Sequence, residues 1–400
     1  MDPVNPTPAS STDACEMART FDYWSPTYAP DPYALFRRLR RDCPVAHSDE
    51  LDGFYILSRY EHVGSALRDH GNFTSTILTA PAIPVEVRAP VPPLDQDPPA
   101  HARYRQLLLP FFTPSRAAGL EATARDTARR LAAACTGTIE AYMSYCFPMP
   151  TIVLSQILGI DASDYEQFAN WIALTVDGQG VDPGAAVEAS DEIREYLTAL
   201  LARRKQEPRD DILTFLLTAE VEGEPLTDAE RLGIAQVLLI AGIDTTANTL
   251  GHALLYLAEH PEERARLIRD RSLIHKAIEE FLRVYAPVSL VRGARADTEV
   301  GGCPIPAGVP VFLSIPSANR DERQFSDAEQ VVLDRNNNAH LAFGAGVHRC
   351  IGAHVARMEL RVGLEEFLAA VPDFRLADPD GVSWKPGPIR GPNRFELVCG

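Results

Sequence analysis

A chain of 400 residues with 46% hydrophobic and 23% charged residues is apolar enough to bury a large core around a ligand or cofactor. Length alone leaves open one large domain or several small ones. A formal charge of -17 excludes nucleic acid and anionic membrane as main partners, since both demand a dominant basic surface.

In chain order, residues 1–20 are Pro-rich, without apolar periodicity or the basic and apolar regions of an export signal. They are predicted to be a flexible tail on a cytoplasmic protein, with residues 21–400 as a single domain. Pro32 to Arg40 reads as a short amphipathic helix and Gly53 to Leu57 as a strand. From Phe73 to Pro98 no period is sustained, and loops of that length in compact domains are usually functional. Helical patterns follow to about Ala219, with turns at Asp182-Pro183-Gly184 and from Pro208 to Asp211. Thr227-Asp228-Ala229-Glu230 fits a capping box opening a helix that runs to about His260, roughly 50 Å at about 1.5 Å per residue. Its most apolar stretch, Ile234 to Ile243, is interrupted by Gln236 and is about half of what a bilayer crossing needs. Beyond Pro372, Gly and Pro punctuate short alternating strands. The expected fold is mainly α with a minor β region.

Seven cysteines are scattered without a C-x-x-C pair, and most read as small buried hydrophobes. Cys350 differs, because it lies in Phe343-Gly344-Ala345-Gly346-Val347-His348-Arg349-Cys350-Ile351-Gly352 ahead of a helical pattern. Glycines permit tight turns and close approach to a flat ligand, and N–H groups at a helix start stabilise a thiolate. That suits an axial iron ligand. Zinc bound by His348, Cys350 and His354 is a rival, though the spacing matches no common zinc pattern.

The stretch F-G-x-G-x-H-x-C-x-G resembles the haem-binding signature of the cytochrome P450 superfamily at every fixed position, and from about Phe21 the chain is similar to soluble bacterial members. The resemblance implies that haem b lies between the long central helix and the cysteine-loop helix, with Cys350 as iron ligand and Phe343 and Gly344 at the cofactor. Thiolate donation favours O–O cleavage.

Ala241-Gly242-Ile243-Asp244-Thr245-Thr246 puts a helix-weakening glycine and two polar side chains into an apolar run. Gly242 would make room beside the iron. By the resemblance, Thr245 positions protons at the distal oxygen and Asp244 helps relay them. Glu280 and Arg283, an i, i+3 pair, look like the family's structural E-x-x-R, with Arg335 as third member. His101 and Arg105, two cations one turn apart, need an anion, and with Arg292 and His348 they are similar to the family's haem propionate partners. Arg103 and Arg295 read as surface cations. Arg103, Arg349, His354 and Arg357 form a candidate basic dock for an acidic ferredoxin, or simply solvated helix faces.

By the same analogy the substrate pocket is walled by Ile77, Leu78, Ile83, Val85, Leu239, Ala241, Val288, Leu290, Val291 and Ile389, so the substrate is largely hydrophobic. The implied activity is a monooxygenase reaction with O2. Electrons are expected to come from NAD(P)H through a separate ferredoxin reductase and ferredoxin, since these 400 residues show no flavin or ferredoxin module. The protein is expected to be a monomer. A haem sensor or carrier without turnover is the alternative, which the Asp244-Thr245 pair disfavours.

Overall fold

The computed structural model describes residues 12–82 and 89–400. The capping box forms as expected: Thr227 Oγ1 accepts the Glu230 N–H at 3.2 Å, and Glu230 accepts the Thr227 N–H at 2.6 Å. The helix it opens, Asp228–Glu259, spans 32 residues, or about 48 Å. Ile234, Leu239, Ile243, Leu250, Leu254 and Leu257 bury it on several sides, which makes it the axis of the main hydrophobic core rather than a surface element. Helices Pro148–Leu158, Pro183–Gln206 and Ala353–Ala370 pack against it, and Pro114–Ala133 lies along the last of these.

A five-stranded sheet stands apart from this helical body. Its order is Val45–Ser48, Phe54–Leu57, Pro310–Leu313, Leu290–Ala294, Phe73–Thr74, antiparallel except where Phe54–Leu57 meets Pro310–Leu313. The strand period of two divides its side chains. Phe54, Ile56, Val291 and Phe312 join an N-terminal aromatic cluster with Phe21, Tyr23 and Trp24, while Leu57, Val311 and Leu313 face Leu341 and Ala345 of the cysteine loop. A smaller sheet pairs Glu396–Cys399 with Phe374–Leu376 and Gly137–Glu140.

The segment read as tail is partly structured. Thr12–Arg19 is a helix with Ala14 and Ala18 buried, and Cys15 is disulfide-bonded to Cys43 beside helix Tyr33–Asp42. Two cysteines taken for isolated small hydrophobes therefore staple the start of the chain to the body. Alanines and one cysteine supply the buried face, too weak a period to read without the partner surface.

The E-x-x-R pair is fully buried. Glu280 accepts two hydrogen bonds from Arg283, at 2.7 and 2.9 Å, and two from Arg335 Nε, at 2.9 and 3.1 Å. It also accepts the Val332 N–H and the Asn338 amide. Arg283 spends its remaining donors on the carbonyls of Asn319, Ala328 and Gln330. Asn319 Oδ1 in turn accepts the Leu341 N–H at 2.7 Å, so this network carries the chain into the cysteine loop.

Candidate active site

The cysteine loop turns tightly. Gly344 N–H bonds to Leu341 C=O at 2.7 Å, and Cys350 N–H to Phe343 C=O at 2.8 Å. Gly344 and Gly346 have φ of 67° and 69°, where glycine is at home. A Cβ on Gly346 would lie 2.5 Å from the Leu67 carbonyl oxygen, so this glycine lets the loop seat on helix Tyr60–Arg68 rather than on a ligand. Phe343 is held under the Arg357 guanidinium, 4.4 Å from the ring centre, and Arg357 is fixed by Glu279 at 2.7 and 2.9 Å. Cys350 is exposed yet closely surrounded. Burial pushes its thiol up, opposed by the Gly352 N–H and by the charges of Arg105, Arg349 and Arg357.

The structure brings the expected propionate partners together. The His101 and His348 rings are 4.2 Å apart, and Ser75 Oγ lies 2.9 Å from His348 Nε2. Burial, then the charges of Arg292, His101 and Arg105, push His348 down to about 3. Burial alone brings Arg292 down to about 10; its guanidinium donates to the Val291 carbonyl at 2.9 Å. His101 is lowered by burial and by Arg105, and its Nε2 is buried without a hydrogen-bond partner. Asp97 stands nearby but is engaged by Thr74, the Ser75 N–H and Arg295. Buried cations and an orphaned ring nitrogen are costly unless an anion joins them. A cofactor with two carboxylates fits that requirement.

On the central helix, Ala241 is exposed and Thr245 partly so, and the Thr245 hydroxyl donates to the Ala241 carbonyl at 3.0 Å. Asp244 points elsewhere. It is fully buried, and its carboxylate accepts from Tyr142 OH at 3.1 Å, from Asn248 Nδ2 at 3.1 Å and from the buried Lys385 ammonium. Neither Tyr142 nor Lys385 was visible as a partner in the sequence, where they lie 102 and 141 positions from the acid. On the next turn of approach, Glu359 from helix Ala353–Ala370 hydrogen-bonds Thr246, and burial raises its carboxyl well above the usual range.

Several expectations need correction. A Cβ on Gly242 would lie 3.1 Å from Leu154 Cδ2, so the missing side chain admits helix Pro148–Leu158 rather than making room beside an iron. Leu239 is fully buried in the main core, and Val291 belongs to the N-terminal aromatic cluster, on the sheet face opposite Arg292. Ile77, Leu78, Val288, Leu290 and Ile389 are partly buried, with Val288 and Ile389 joined by a β-bridge. Ile83 and Val85 lie outside the described residues. Two of the four residues of the candidate basic dock are ion-paired, Arg103 with Glu222 and Arg357 with Glu279, and Arg295, read as a surface cation, pairs with Asp97. Arg105 donates to the Arg349 carbonyl at 2.6 Å. Among the described residues no group of three or more His, Cys, Asp or Glu is arranged to hold a metal ion, so the zinc reading gains no support. No described helix is long and apolar enough to cross a membrane.

A family model for cytochrome P450 matches residues 184–383. The chain is 34% identical to cytochrome P450 107B1 of Saccharopolyspora erythraea over 90% of its own length and 92% of the relative's. It is also 34% identical to the mycinamicin IV hydroxylase/epoxidase of Micromonospora griseorubida, over 86% and 89%. Its structure superposes on cytochrome P450 CYP109Q5 of Chondromyces apiculatus with a TM-score of 0.85 at 35% identity, covering 96% of this chain and 99% of that one. A helical body carrying a cysteine loop and a long central helix is the haem-thiolate architecture. This chain belongs to the cytochrome P450 superfamily. It is an oxidoreductase of the monooxygenase class whose cofactor is haem b.

Proposed function

We propose that the protein inserts one oxygen atom from O2 into a largely hydrophobic small organic substrate, with electrons from NAD(P)H delivered by a separate ferredoxin reductase and ferredoxin. We infer further that the chain from Phe21 onward acts as one haem-binding unit, as a monomer in the cytoplasm. The observation that carries the reading is Thr245, a hydroxyl on the accessible stripe of the central helix directly beside a buried acid. A sensor or carrier has no use for such a pair, because proton delivery matters only when oxygen is to be cleaved.

The chemistry supplied by bound haem b is dioxygen binding and O–O cleavage, which thiolate donation favours. Cys350 would hold the haem iron through its thiolate. The Gly352 N–H and the charges of Arg105, Arg349 and Arg357 favour its thiolate form. His101, Arg105, Arg292 and His348 would hold the propionates, and Phe343 and Gly344 would contact the haem. Thr245 gives its own proton to the Ala241 carbonyl and keeps lone pairs free to accept one from water, so it can hold a proton donor at the reacting oxygen. Asp244 would supply that chain on giving up part of its contacts with Tyr142, Asn248 and Lys385. Ile77, Leu78, Ala241, Val288, Leu290 and Ile389 offer an apolar surface to the substrate. The relative named for hydroxylating and epoxidising mycinamicin IV supports those two reaction types here.

The reading is tested by the absorption spectrum of the reduced, carbon monoxide-bound protein beside Cys350→His, together with coupling in Thr245→Ala. A strongly red-shifted Soret band lost in Cys350→His is expected, with Thr245→Ala still binding substrate while NAD(P)H consumption drains to peroxide. A histidine-like spectrum in both proteins would take Cys350 off the iron. Unchanged coupling would remove Thr245 from the proton path.

A further inference from the structure

The acid beside Thr245 is held by a loop on the far side of the sequence. Lys385 and Asp244 are both buried, and their ion pair closes a recess completed by Tyr142 OH and the Asn248 amide. Both carboxylate oxygens are engaged there, so Asp244 cannot serve the Thr245 side of the helix without giving up part of this set. The lysine is anchored in its turn. Its backbone N–H bonds to Gly391 C=O at 3.0 Å, and a Cβ on Gly391 would lie 2.6 Å from Asn248 Cβ, so the base of the loop rests on the residue that also binds Asp244. The rest of the loop lies along the Pro287–Ser289 segment: Ser289 N–H bonds to Pro388 C=O and Arg390 N–H to Pro287 C=O, each at 2.7 Å, around the Val288–Ile389 bridge. Those two side chains belong to the apolar surface assigned to the substrate.

We propose that Lys385 is a positioning residue for the oxygen reaction: it holds the Asp244 carboxylate in the Tyr142–Asn248 recess, and it ties release of that acid to how the 385–391 loop seats on Val288. The proposal rests on the monooxygenase reading above. A substrate pressing on Ile389 and Val288 acts on the loop that carries the lysine, so pocket filling and proton supply are mechanically linked. Among the described residues, the titratable groups that contact the Asp244 carboxylate are Lys385 and Tyr142. Behind Tyr142, Glu140 accepts the N–H groups of Tyr142, Met143 and Phe395. Two turns along the helix, His252 is kept neutral by burial and stacks on Tyr285.

Without the ammonium, a buried carboxylate takes up a proton. Difference infrared spectra of the resting holoprotein, referenced to Asp244→Asn, should therefore show a protonated-carboxyl band in Lys385→Met that is absent from the parent and from Lys385→Arg. Product formed per NAD(P)H in Lys385→Met should gain a titration step, absent from the parent, where the Asp244 carboxyl of the variant loses its proton, and Lys385→Arg should restore the parent profile. Should Lys385→Met fail to fold, Lys385→Gln, which keeps a donor but no charge, is read the same way. Absence of a new carboxyl band together with the parent's pH profile overturns the proposal. The infrared band does not depend on turnover. A parent lacking the thiolate spectrum thus defeats the monooxygenase reading, whereas a missing band in a protein that has that spectrum defeats only the role of Lys385.

Discussion

Arg283 and Arg292 are close in sequence and both buried, yet they are finished differently. Arg283 meets a carboxylate and three carbonyls, and its partner Glu280 is saturated in turn by Arg335, Val332 and Asn338. Arg292 donates to one carbonyl, and beside it stand His348, pushed to about 3, and His101 with an orphaned ring nitrogen. A cation network that satisfies itself is architecture. A buried guanidinium that meets one carbonyl and no carboxylate, beside a histidine ring nitrogen without a partner, is suited to bind an anion. The same residue type thus reports opposite roles, and the partner count separates them.

The largest effect expected from breaking this contrast is at Glu280. Glu280→Ala leaves two buried guanidinium groups without an anion, and chemical denaturation should register a loss of about 3–5 kcal/mol or no folded protein at all. A loss below about 1 kcal/mol would mean that the triad is dispensable. Arg292→Met should behave in the reverse sense. The apoprotein should be as stable as the parent or more so, while haem transfer to a competing apoprotein should be faster, because one charge-assisted contact worth about 1.5–3 kcal/mol is gone. Loss of apoprotein stability with unchanged haem retention would move Arg292 into the architectural group. The smallest effect concerns Glu279, the outer neighbour of the triad. Although burial acts to raise it, hydrogen bonds from His340 and Arg357 hold its carboxyl at about 2, below its ordinary value of 4.5. A depressed carboxyl stabilises the fold above its unfolded pKa and loses that contribution as pH falls through the folded one. The stability difference between parent and Glu279→Gln should therefore be full above about pH 4.5 and fade toward pH 2. A pH-independent difference would show that the hydrogen bonds, not the charge, matter.

What the sequence determined by itself was everything written in local spacing. The capping box at Thr227 and Glu230, the cysteine loop from Phe343 to Gly352, the Asp244-Thr245 pair and the Glu280–Arg283 pair each depend on residues within a turn or two of one another, so backbone geometry alone brings them together. The resemblance to a known family then supplied the distant members His101, Arg292 and Arg335. Tertiary structure decided what faces what. Gly242 opens toward Leu154, and Val291 falls on the opposite sheet face from Arg292. The Thr12–Arg19 helix is stapled through Cys15 to Cys43, and Lys385 reaches Asp244 across 141 positions. Such contacts join segments whose separation in the chain carries no periodic signal. Their energy comes from burial and ion pairing that exist only once the helices and the sheet have packed.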